Sequence, residues 1–107
     1  MIRVRVQRSR QGAPVALMVE GHAGRGAYGE DIVCAAASAL VETLMLGLTE
    51  VVAEIPQGRV DDGLADLRFL QPMSGEARAI VETIVRGLKD LASTEPDAVS
   101  VTEQTYG

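Results

Sequence analysis

The chain has 107 residues, of which 47% are hydrophobic and 3% aromatic, and its formal net charge is −5. This length fits one domain, 1–107, with an aliphatic core. Because proteins that bind nucleic acid through its phosphates are basic, we expect no direct nucleic-acid binding. No uninterrupted apolar run reaches the roughly 18 residues that a membrane span needs. We therefore expect no membrane partner and a cytoplasmic location.

The N-terminal residues predict a β-hairpin. Ile2, Val4 and Val6 alternate with polar residues, which is the period of a half-buried strand. Residues 11–14, Gln-Gly-Ala-Pro, are typical of a turn, and residues 15–21 predict a second strand. The two strands are expected to pair with each other.

A glycine-rich loop and a long helix are predicted next. Residues 23–30 hold three glycines and almost no apolar side chain, which indicates a mobile loop. Asp31 is a favourable N-cap, and residues 32–52 contain no proline. Because this helix is apolar on most sides, we expect it to be largely buried.

The second half of the chain predicts three further strands and a second helix. Residues 59–60, 64–70 and 99–103 predict strands, with a hairpin turn at Asp62 and Gly63. Ser74 can cap a second helix whose apolar residues follow helical spacing as far as Leu91. The predicted fold is of the α/β class, α+β type. It is a mixed, mostly antiparallel sheet of four to five strands with two helices on one face.

The only cysteine and the only histidine lie on either side of the glycine loop. Cys34 falls at the third position of the predicted helix, where backbone N–H groups and the helix dipole favour a thiolate. His22 could shuttle a proton to and from it, and the helix start offers donors for an oxyanion. Taken singly, such a cysteine is typical of a core and such a histidine of a surface. From the residues alone, the catalytic and the structural interpretations both stay open.

The neighbouring polar residues fit supporting roles. Asp31 is first a helix cap and could also place His22, while Ser38 lies one turn after Cys34 and could bond near the thiol or back to a helix carbonyl. Cys34, His22 and Asp31 provide too few matched ligands for a metal, so we expect no metal and no cofactor. A resolving cysteine and a complete phosphate-binding motif are also absent from the sequence.

A specific family resemblance covers this same region. The stretch Gly21-His22-Ala23, a short glycine-rich gap, and the run from Gly29 to Ser38 resemble the ribosomal-processing cysteine protease family, Prp. The Asp-Ile-Val-Cys-Ala-Ala run is the most distinctive part. The resemblance is strong over about 18 residues, and the rest of the chain agrees in length and in the order of its elements.

The resemblance implies a cytoplasmic cysteine endopeptidase that acts as a homodimer. Cys34 would be the nucleophile and His22 the general base and acid, with Asp31 and Ser38 in the family's supporting positions. The implied substrate is the N-terminal extension of bacterial large-subunit ribosomal protein twenty-seven, cut after a pair of phenylalanines.

Two alternatives and a hypothesis about the loop accompany this interpretation. The protein could be a non-catalytic ribosome-assembly or scaffold protein, or another Cys-His acyl-transfer hydrolase acting on a small substrate. Because the loop joins His22 to Cys34, we also expect Gly24, Gly26 and Gly29 to let it close over bound peptide as a gate.

Overall fold

The computed structural model describes residues 1–24, 26, 31–61 and 64–105. The hairpin consists of β1 (Ile2–Arg8) and β2 (Pro14–Glu20), and it is followed by helix α1 (Ile32–Leu46). A π-helical turn (Gly47–Val51) extends α1. Then come β3 (Gln57–Asp61), β4 (Leu64–Arg68), α2 (Gly75–Thr94) and β5 (Val99–Thr105). The hairpin turn predicted at Asp62 and Gly63 lies outside the described residues.

The five strands form one sheet in the order β3-β4-β2-β1-β5. The pairs β1–β2, β2–β4 and β3–β4 are antiparallel, whereas β1 and β5 are parallel. The predicted mixed, mostly antiparallel sheet is thereby confirmed. Helix α2 carries the chain from β4 across the sheet to β5 at the far edge, where β5 runs parallel to β1.

The core lies on one face of the sheet, between the strands and the two helices. Val4 pairs with Val19 and Val6 with Leu17 across β1 and β2, and all four side chains are buried. The intervening arginines of β1 are exposed. Period-2 alternation thus places the aliphatic side chains against the helices and the charged ones on the open face.

Helix α2 begins and ends as its sequence predicts, but α1 differs. Its regular hydrogen bonding ends at Leu46, and the chain continues through wider i→i+5 bonding, as from Val52 N to Gly47 O at 3.1 Å. This turn leaves Val51 76% exposed. Gly47 belongs at this point because an added Cβ would lie 3.0 Å from Cγ2 of Ile80 in α2.

The expectation that the first helix is largely buried is wrong. Ile32–Val51 is long and apolar enough to cross a membrane by length and composition alone, a test that core helices of soluble proteins also pass. One side of α1, including Val33, Val41 and Leu44, joins the core. Ile32 and Leu46 are 76% and 55% exposed. An apolar surface therefore remains uncovered on α1.

Candidate active site

Helix α1 begins at a cap that surrounds the only cysteine. The buried carboxylate of Asp31 accepts hydrogen bonds from the backbone N–H groups of Val33 and Cys34, both at 3.0 Å. Asp31 itself has extended backbone angles, as an N-cap residue does. Cys34 is therefore the third helical residue, and its thiol is free and partly exposed.

The segment that follows β2 brings a second backbone group to the thiol. The N–H of Ala23 donates a hydrogen bond to Sγ of Cys34, with an N···S distance of 3.2 Å. Gly21 directs the segment there: its φ is +94°, and an added Cβ would lie 2.2 Å from the carbonyl oxygen of Met1. Only glycine fits this approach between two backbones.

His22 lies on the same segment and faces the same cleft as Cys34. Its side chain is exposed, and both residues line the cleft wall. Within the described part of the chain, no hydrogen bond or ion pair joins His22 to Cys34 or to Asp31. The structure thus brings the two chemical groups to one cleft, and none of the described carboxylates bonds to the imidazole. Catalytic hydrogen bonds often form only when substrate is bound.

The cleft is open and has a volume of about 680 Å³. The start of α1 forms one wall, and the ends of β2, β3 and β4 form the other. Its apolar lining includes Val19, Val41, Val60 and Leu64, and its acidic lining includes Glu42. A cleft of this kind can take an extended chain with apolar side chains.

The other predicted site residues are distributed around this cleft. Ser38 is exposed and lines the cleft. Among the described residues, its hydroxyl makes no hydrogen bond, so it does not donate to a helix carbonyl. Thr49, in contrast, donates to Met45 O at 2.7 Å. Gly24 and Gly26 also line the cleft. Gly29 lies outside the described residues.

A metal site is not found in the described ranges. No group of three or more His, Cys, Asp or Glu side chains there could hold a metal ion.

Comparison with known proteins identifies the family. The model of the family described as cysteine protease Prp matches residues 1–100. The chain belongs to the cysteine protease Prp family. A Prp from Staphylococcus aureus, named a ribosomal processing cysteine protease, is 31% identical over 93 residues, which cover 85% of this chain and 88% of that protein. The predicted family and the predicted cysteine peptidase activity are thereby confirmed.

Solved structures of Prp have the same fold. An S. aureus Prp in complex with a covalently linked product peptide superposes with a TM-score of 0.92 at 27% identity, covering 97% of this chain and all of that one. The S. aureus protein in complex with a substrate peptide gives a TM-score of 0.86 at 26% identity, with the same coverage. A Streptococcus mutans protein gives 0.82 at 28% identity, covering 99% of this chain and 96% of that one.

One element of the site was not predicted from the sequence. The Ala23 N–H is a backbone group, so the residue type at position 23 carries no chemical signal for it. The glycine before His22 is the nearest indication, because it marks a sharp change of chain direction.

Proposed function

We propose that this Prp family member is an endopeptidase that removes the N-terminal extension of large-subunit ribosomal protein twenty-seven. The observation that carries the proposal is the position of Cys34 and His22 on one open cleft. The S. aureus relative is named for ribosomal processing, and its structures hold a substrate peptide and a covalently linked product peptide. The same proposal places the protein in the cytoplasm, where ribosomal subunits mature.

Cys34 acts as the nucleophile and His22 as the proton carrier. The thiolate Sγ bonds to the scissile carbonyl carbon, and the carbonyl π electrons move to oxygen. When this oxyanion collapses, the C–N bond breaks and protonated His22 gives its proton to the leaving amine. Water then attacks the thioester while His22 takes a proton from it. The carboxyl product leaves, and the thiolate is restored.

The apolar side of the cleft is suited to the phenylalanine pair that precedes the proposed cut. Val60, at 37% exposure, shares the helix-facing side of the sheet with Ala65 and Val19, and the buried side chains of Val19 and Val41 also line the cleft. Burying an aromatic side chain against such a surface contributes about 2 kcal/mol of binding. Binding energy at these positions helps to hold the scissile bond beside Cys34.

The alternatives fit the molecule less well. A non-catalytic scaffold protein would not require a free, partly exposed thiol facing a cleft lined by the only histidine. A hydrolase of small substrates would be served by an enclosed pocket, whereas the cleft beside Cys34 is not enclosed. An extended peptide is therefore the better match.

We also propose that the protein acts as a homodimer that is joined through α1. Ile32, Leu46 and Val51 are more than half exposed on α1 and its π-helical turn, and the small residues Ala35 and Ala39 lie between Ile32 and Leu46. Exposed apolar surface of this kind on a small protein is typical of an interface. A second copy is the occupant that fits best, because small residues let two identical helices approach closely.

Cleavage of a synthetic precursor peptide tests the proposed activity. The peptide carries the extension, the phenylalanine pair and the first mature residues, and products are identified by mass spectrometry. We expect one cut after the second phenylalanine, and no cut in a peptide with both phenylalanines replaced by aspartate. Cys34→Ala should stay folded and inactive, and Cys34→Ser should be nearly inactive because a hydroxyl is far less acidic than a thiol. Turnover by Cys34→Ala near the wild-type rate would refute the proposal.

A further inference from the structure

Two N–H groups at the start of α1, including that of Cys34, are already bonded. A helix N-terminus next to a nucleophile is the usual source of oxyanion donors, because its first N–H groups lack intrahelical acceptors. Here the N–H groups of Val33 and Cys34 both donate to Oδ1 of Asp31 at 3.0 Å. Because the Asp31 carboxylate is buried, it depends on these two N–H groups and retains both hydrogen bonds. The nucleophile's own N–H is therefore engaged before any substrate arrives.

A different backbone donor faces the sulfur. The N–H of Ala23 donates to Sγ of Cys34 with an N···S distance of 3.2 Å, from the segment that follows β2. Sulfur accepts hydrogen bonds less strongly than oxygen, so this N–H can change its acceptor when a neighbouring carbonyl oxygen takes up the negative charge. Ala23 packs against the core, and Gly21 fixes the direction of its segment through the close approach to Met1. The donor is thus held in place without help from the cap.

We propose that the Ala23 N–H is an oxyanion donor of this peptidase, an inference that rests on the proposed role of Cys34 as nucleophile. As Sγ bonds to the carbonyl carbon, negative charge leaves the sulfur and appears on the carbonyl oxygen, which is one carbon atom away. A donor that reaches the sulfur before attack reaches the oxygen after a small shift. The hydrogen bond therefore follows the charge from sulfur to oxygen and strengthens in the transition state. It returns to the sulfur when the thioester forms and the amine leaves.

The test replaces only this N–H. Semisynthesis puts lactic acid at position 23, which exchanges the Ala23 N–H for an ester oxygen and keeps the methyl group. The matched control puts glycolic acid in place of Gly75, the exposed first residue of α2, whose N–H has no acceptor within its helix. Thermal melting establishes that both proteins are folded.

Two reagents that need no peptide recognition are then compared. Acylation of Cys34 by p-nitrophenyl acetate passes through an oxyanion, whereas alkylation by iodoacetamide displaces iodide and forms none. Both rates depend on the same thiolate, so the ratio of the acylation rate to the alkylation rate measures how strongly the protein stabilises the oxyanion. We expect the ratio to fall about tenfold in the position-23 ester and to stay unchanged in the position-75 ester. Turnover of a peptide substrate by the position-23 ester should fall about 100-fold, which is the usual effect of removing one oxyanion donor.

The outcomes separate this inference from the proposed function. Equal losses in acylation and alkylation would mean that Ala23 stabilises only the thiolate, and an unchanged ratio with unchanged rates would mean that its N–H has no role. Either result overturns the inference and leaves the peptidase proposal standing. Failure of the wild-type protein to cleave the precursor peptide would instead refute the proposed substrate, while the acylation ratio still decides the role of Ala23.

Discussion

The carboxylate of Asp31 accepts a hydrogen bond from the backbone N–H of Cys34 at 3.0 Å, so one residue both starts α1 and fixes the backbone of the proposed nucleophile. Asp31→Ala removes the acceptor for two N–H groups and should lower the free energy of unfolding by about 1 kcal/mol. Asp31→Asn keeps an acceptor and should lie close to wild type in denaturant unfolding. Because no hydrogen bond or ion pair joins Asp31 to His22 among the described residues, Asp31→Asn should also keep most of its peptidase activity. A stable but inactive Asp31→Asn would contradict the interpretation as a cap.

His22 should control the reactivity of Cys34. His22→Ala removes the cationic partner that we propose for the thiolate, so alkylation by iodoacetamide near neutral pH should slow several-fold. His22→Gln, which keeps a polar side chain without the charge, should behave like the alanine variant. The measurement is the alkylation rate against pH, followed by mass spectrometry. Identical profiles for wild type and both variants would mean that the two side chains do not interact.

The glycines before and within the loop should differ in what they control. Gly21→Ala introduces a Cβ 2.2 Å from a backbone oxygen, so we expect a large fall in melting temperature. Gly24 has φ of +73° with open space around the added Cβ, so Gly24→Ala adds only backbone strain of about 1 kcal/mol. If the loop closes over peptide, Gly24→Ala should reduce turnover more than this stability loss explains. Turnover within twofold of wild type would argue against the gate.

Acid should weaken the attachment of α2 to the sheet. Arg8 makes two hydrogen bonds of 2.8 Å to the carboxylate of Glu82, and these bonds hold the pKa of Glu82 below its usual range. The pKa of Glu103 is lowered by its hydrogen bonds to Lys89 and then to Arg8. A lowered folded-state pKa gives stability that is present above the unfolded value of about 4.3 and is lost as pH falls through the folded value.

Glu82→Gln should therefore be less stable than wild type at pH 7 and should lose less stability on acidification below about pH 4.3. Denaturant unfolding at several pH values measures both effects. Glu50→Gln is the control, because Glu50 is exposed and has no ion pair among the described residues. Parallel pH profiles for wild type and Glu82→Gln would show that this ion pair does not contribute.

The apolar surface of α1 should join two copies. Leu46→Glu places a charge on a residue that is 55% exposed, and it should convert a dimer to a monomer without lowering the monomer's stability. Leu70→Glu, at a residue that is 44% exposed outside α1, is the control and should leave the mass unchanged. Light scattering at micromolar concentration gives the mass. A wild-type monomer, or a Leu46→Glu dimer, would contradict the proposed interface.

Local patterns in the sequence were sufficient for most elements and for the family. Alternation in β1, the caps at Asp31 and Ser74, and the spacing of apolar residues in α2 are all effects within a few residues, so one sequence contains them. The run around Cys34 indicated the family for the same reason. The exposure of Ile32 and Leu46 was not predicted. A helix that is apolar on most sides has the same sequence pattern whether its outer side packs in the core or against a partner chain.

The sequence by itself limited the proposed Cys-His chemistry to Cys34 and His22, because this chain has one thiol and one imidazole. Tertiary structure alone decided which backbone groups surround the thiol. Asp31 accepts from the N–H groups of Val33 and Cys34, and the close approach of Gly21 to Met1 directs the Ala23 N–H to Sγ. Every residue except proline has an N–H, so residue type does not reveal where that group points. Its direction depends on how β2 ends against the N-terminus and on where α1 begins.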